Sequence, residues 1–67
     1  MKKIKQMPTD RQFIAVWSFD DKIWCDTVSY CPDEEDFLVW DHERESYLEK
    51  FSLCPEAEKT VKYFILG

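Results

Sequence analysis

Glycine is almost missing from this chain: there is one in 67 residues, at the last position. Loops that cradle phosphates need glycine so that the backbone can close on the anion, so no P-loop or dinucleotide fingerprint can be built and no nucleotide cofactor is expected. Histidine is as scarce, with His42 alone. Nucleophilic catalysis requires a thiol or hydroxyl, a base and an orienting group. His42 sits in the charged run Asp41-His42-Glu43-Arg44-Glu45 with no cysteine motif beside it, which reads as a solvated histidine rather than a catalytic one. No apolar run approaches the roughly 20 residues of a membrane span, and the basic opening Met1–Pro8 does not resemble a secretion signal. Cysteine is limited to Cys25, Cys31 and Cys54, an odd number without a Cys-x2-Cys knuckle. That usage fits free thiols acting as small core hydrophobes in a reducing cytoplasm, with no metal bound. The competing reading is a small zinc-binding domain using the three thiols and His42.

What is present is apolar surface and acid. Hydrophobic residues make up 45% and aromatic ones 16%, too much for a disordered tail although 34% of residues are charged. The length suits a single small domain over residues 1–67, with 1–10 as a polar lead-in in which Lys3-Ile4-Lys5 suggests a short edge strand. A chain this short buries only roughly 60% of its unfolded surface, so its stability is marginal, and a homodimer or another partner would help it. It also leaves little room for an enzyme with its own substrate cleft. Net charge is −5. Three lysines open the chain, and the rest holds six basic residues against fourteen acidic ones. Such a body opposes direct contact with nucleic-acid phosphates and suits a protein partner with a basic surface.

Gln12–Phe19 and Lys22–Tyr30 are rich in β-branched and aromatic residues and flank Asp20-Asp21. They predict a hairpin with a two-residue loop; because Asp-Asp is not the ideal Asn-Gly, a four-residue loop with a shifted register is the alternative. The two-residue loop pairs Phe19 with Lys22, Trp17 with Trp24, Ile14 with Thr27 and Phe13 with Val28. It puts Phe13, Ala15, Trp17, Trp24 and Val28 on one face, with Asp26 among them, and Ile14, Val16, Ile23 and Cys25 on the other. Both faces are apolar. Cys31–Asp36 reads as a loop and 37–40 as a short apolar strand. Over 42–52 a helix is expected: Asp41 can cap it, Glu43 and Glu45 favour its first turn, and Tyr47, Leu48 and Phe51 share a stripe. A hairpin loop with a strand from Tyr47 to Leu53 is the alternative. The segment 61–66 reads as a closing strand, with a helix from Pro55 as its rival. The fold class expected is α+β, an antiparallel sheet of about four strands (12–19, 22–30, 37–40, 61–66) with one short helix; a small all-β barrel is the alternative.

Met7-Pro8-Thr9-Asp10, then Phe13 through Trp17, Trp24 through Tyr30 and Val61 through Phe64 together resemble a class of small phage and prophage proteins of unknown function. These carry a Met/Leu-Pro-x-Asp turn before an aromatic β-hairpin and an aromatic ending. Arg11 replaces the glycine that often follows their Asp, and Tyr63 or Phe64 replaces their late Trp. The resemblance implies a virus-encoded accessory protein, located in the host cytoplasm, and brings no catalytic residue with it.

The functional expectation is therefore a non-enzymatic acidic binding protein. In its sharper form it is a phage-encoded inhibitor whose carboxylates mimic nucleic-acid phosphates and block a basic site on a host defence or nucleic-acid-handling protein. Candidate contacts are Asp20, Asp21, Asp33, Glu34, Glu35 and Asp36, with Trp17 and Trp24 as aromatic anchors. The alternative is an accessory module that self-associates or docks through an exposed aromatic sheet face.

Overall fold

The computed structural model describes residues 1–66. Six strands and one helical turn follow in the order β1 (Lys2–Ile4), β2 (Phe13–Phe19), β3 (Lys22–Cys31), β4 (Asp36–Asp41), β5 (Ser46–Lys50), α1 (Pro55–Glu58) and β6 (Lys62–Ile65). The strands form one antiparallel sheet in the order β1-β6-β2-β3-β4-β5. Its outer strands β1 and β5 do not meet, so the sheet is open rather than a closed barrel.

The β2–β3 hairpin has the register expected from its pattern, including Phe13↔Val28, Ile14↔Thr27, Trp17↔Trp24 and Phe19↔Lys22. Asp20 and Asp21 both hold positive φ, 54° and 59°, as the two central residues of a type I′ turn must. The three strands that follow Asp20-Asp21, the 31–36 loop and the polar 54–60 segment also fall where the apolar runs place them, as β3, β4 and β6.

The expectation of four strands and a helix over 42–52 is overturned. Residues 46–50 are strand β5, helix is confined to the four residues of α1, and Lys2–Ile4 is the short edge strand that Lys3-Ile4-Lys5 suggests, begun one residue earlier. The cause is visible at Asp41. Its Oδ1 accepts the backbone N–H groups of Glu43 and Arg44, at 2.9 and 3.1 Å. Those are the bonds a helix cap would accept, so the local signal is real. But Glu45 turns into the left-handed region at φ 51°, and the chain doubles back onto the free edge of β4. There Tyr47 meets Trp40 edge-on, with ring centroids 5.0 Å apart. An aromatic cross-strand pair plus a ladder of backbone bonds outweighs the weak helix preference of so short a segment.

One face of the sheet holds the core. Phe13, Ala15 and Val28 are buried at its centre, with Ile4, Met7, Trp17, Phe37, Val39, Phe51, Val61, Tyr63 and Ile65 packed around them. Phe13 meets Phe37 and Tyr63 edge-on, at 5.9 and 5.7 Å. Phe51, just past β5, lies 6.0 Å from Trp17 on β2. Three strand spacings of a flat sheet would separate them by ~14 Å, so the sheet curls toward this face. Helix α1 packs against β2, with Ala57 buried. On the other face lie Ile14, Val16, Cys25, Thr27, Leu38, Trp40 and Phe64. Most are half-buried, and no element packs over them.

Candidate functional site

The type I′ turn fixes where the two tryptophans stand. They are cross-strand partners near the turn end of the core face. Trp17 leans inward onto Phe51 and belongs to the core. Trp24 stays 45% exposed, and its indole Nε1–H donates to the Phe19 carbonyl at 3.1 Å. That bond holds the ring in one orientation beside Asp20 and Asp21. Of the two expected anchors, one is therefore structural and one is presented to solvent.

The expected acidic contacts do not form one patch. Asp20 and Asp21 cap one end of β3, and Asp33, Glu34, Glu35 and Asp36 follow the other end. Ten residues of strand, at about 3.3 Å each, put roughly 30 Å between the two groups. Asp36 is also engaged, 3.8 Å from the Lys50 ammonium, and its Oδ1 accepts the Phe37 N–H.

The carboxylates that do join Trp24 are others. Strand alternation sets Trp24, Asp26 and Val28 on the same face, and Val28↔Val39 and Val39↔Glu49 carry that face across to β5. Asp26, Val39, Trp40, Asp41 and Glu49 line a cleft of about 210 Å³. Burial raises the Asp26 carboxyl above its ordinary value, Glu49 raises it further by like-charge repulsion, and His42 in the adjacent turn acts in the opposite direction. Asp26 stands out in the sequence as the acid in the middle of a strong strand. Glu49 does not, because it joins the cleft only once β5 is a strand with its register shift between Val39 and Trp40. Two carboxylates lining one small cleft can take a cationic side chain between them, and a planar guanidinium can donate to both.

The cysteines do not converge. Cys25 and Cys31 both lie on β3, six residues or about 20 Å apart, too far to share a metal ion. Cys25 and Cys54 are exposed rather than core hydrophobes. Among the described residues no group of His, Cys, Asp and Glu has the geometry of a metal site. No described helix is long and apolar enough to cross a membrane.

Comparison of the chain with protein families, with curated proteins and with solved structures gives no match.

Proposed function

We propose that this protein is a non-enzymatic binding module whose Trp24 face takes arginine or lysine side chains of a basic protein partner. The observation that carries the reading is the exposed, hydrogen-bonded Trp24 standing on the same face as the Asp26–Glu49 cleft. A partner cation entering the cleft relieves the repulsion between Asp26 and Glu49, and the indole offers a rigid apolar and cation–π surface beside it. Asp20 and Asp21 steer the approach. In the sharper form of the proposal the partner's cations are those of a nucleic-acid-binding site and the protein is a phage-encoded inhibitor of it.

The test is a titration with a fluorescent arginine-rich peptide, followed by capture of partners with a tagged copy. Asp26→Asn combined with Glu49→Gln is expected to weaken peptide binding at least tenfold, as is Trp24→Ala. Neutralising Asp33, Glu34 and Glu35 is expected to change it less than threefold. Equal losses from both acidic groups would reduce the site to general electrostatics and end the proposal.

A further inference from the structure

The chain is acidic overall, but its cations are gathered in one place. Lys3, Lys5, Lys59 and Lys62 line a single groove of about 730 Å³ at the β1–β6 side, with Ile4, Thr60, Val61 and Tyr63 completing its lining. Four of the nine basic residues of the chain thus share one site, and no acidic residue lines it. Lys3 pairs across strands with Phe64. Lys5, in the bend that follows Ile4, and Lys62, which precedes Tyr63, flank the last pair of the ladder and line the groove together. Like charges gathered in one groove repel one another unless an anion lies between them. All four lysines are exposed, and the ion pairs among the described residues lie elsewhere, at Asp10–Arg11 and Asp36–Lys50.

Lysines on an edge strand also guard against edge-to-edge aggregation. That accounts for Lys2 and Lys3 on β1. It does not account for Lys62, which sits on β6 with β1 on one side and β2 on the other, or for Lys59 in the preceding turn. The groove also continues onto an aromatic surface. Phe64 lies between Lys3 and Ile14 in the sheet. It lines a second cavity, of about 350 Å³, with Asp10, Arg11, Gln12, Ile14 and Thr27, the Asp10 carboxylate lying 4.0 Å from the Arg11 guanidinium. The Gln12 Oε1 accepts the Tyr47 hydroxyl at 2.9 Å, so what this side chain has left to offer is its amide N–H donors.

We propose that the lysine groove and the Phe64 cavity together bind single-stranded nucleic acid, phosphates on Lys3, Lys5, Lys59 and Lys62 and a base against Phe64. Charge complementarity selects a polyanion. The apolar surface beside the cations, with amide and hydroxyl donors at its margin, favours nucleic acid, which brings a ring to stack with every phosphate, over a run of aspartate and glutamate, which brings none. The expectation of no direct nucleic-acid contact averaged charge over the whole chain. The fold separates it, with eight of fourteen acids between residues 33 and 49, toward the opposite edge of the sheet.

The experiment is fluorescence anisotropy with a short labelled oligothymidylate, with sedimentation of the protein alone under the same conditions. Three to four phosphate contacts predict an affinity that falls roughly 20–50-fold between about 50 and 200 mM salt. Replacing Lys5 and Lys62 together with glutamine should remove about 1.4 from the logarithmic salt slope. Lys22→Gln, on the core face and away from the groove, should leave it unchanged, and circular dichroism checks that each variant is folded. Absence of binding at low salt overturns the proposal, as does binding that ignores the paired lysine substitution. An oligoglutamate that competes as well as the oligothymidylate would assign the groove to acidic peptides. Lysine-dependent self-association of the protein alone would assign it to a second copy.

Discussion

The Tyr47 hydroxyl donates to the Gln12 side-chain oxygen at 2.9 Å, linking edge strand β5 to the residue that precedes β2. The bond reaches past β3 and β4 on the open face, where Leu38 lies 7% exposed. Tyr47→Phe keeps the ring contact with Trp40 and removes only the hydroxyl. A single hydrogen bond of this kind is worth about 0.5–1 kcal/mol, and the site is exposed, so the low end applies. The melting temperature should drop by about 4–8 °C per kcal/mol lost. Amide exchange should accelerate in β5 before it does in β2 or β3. Uniform acceleration across the sheet would mean that the bond does not anchor the edge.

Asp20 and Asp21 occupy a turn whose backbone suits Asn-Gly. Aspartate tolerates the left-handed region better than most residues but still at a cost, and two adjacent negative charges add repulsion. Asp21→Gly should therefore stabilise the protein by about 1 kcal/mol, measured by urea denaturation. The same variant should slow association with an arginine-rich peptide, since one steering charge is lost. A destabilised Asp21→Gly would contradict the turn geometry.

How much could be read from the sequence depended on whether the deciding contact was local. The β2–β3 pairing was legible because two apolar runs meet at Asp20-Asp21, but Asp-Asp left the loop at two or four residues, and it is the positive φ of both aspartates that fixes the register. The segment around Asp41 was not, because the same carboxylate bonds serve a helix start and a tight turn, and only the free edge of β4 decides between them. The run Lys3-Ile4-Lys5 suggests a short edge strand, but its partner lies about sixty residues away, so neither the pairing with β6 nor the gathering of Lys5 and Lys62 in one groove leaves a local trace. Acid content was plain from composition. Which acids join Trp24 was not, because Asp26 and Glu49 share a cleft only through three strands in correct register.

Two alanines set how closely the helical turn approaches the sheet. Ala15 on β2 is fully buried and Ala57 on α1 is 2% exposed. Thr60, just past the turn, fastens it further: its Oγ1 accepts the Ser18 N–H at 2.9 Å. No space remains for extra methyl groups. Ala15→Val and Ala57→Val should each destabilise by about 1–3 kcal/mol through overpacking. In a chain of this size that is a large part of the total, roughly 3–10 kcal/mol. Neutral effects in thermal denaturation would show a looser contact between α1 and β2.

Asp26 makes the stability of the fold depend on pH with a defined sign. Its carboxyl is raised above the ordinary value by burial and by Glu49. Between the unfolded and the raised folded value the native state binds more protons than the unfolded one, so stability falls as pH rises through that window. At neutral pH the charge is a net cost. Asp26→Asn should flatten this part of the profile and raise stability at pH 7, and Glu49→Gln should flatten it in part by removing the repulsion. Binding of an arginine-rich peptide should move oppositely, weakening as pH falls and Asp26 takes up its proton. Urea denaturation across the acidic range, paired with peptide titrations at the same pH values, reads both trends. If Asp26→Asn left both profiles unchanged, neither the cleft nor its use as a cation site would stand.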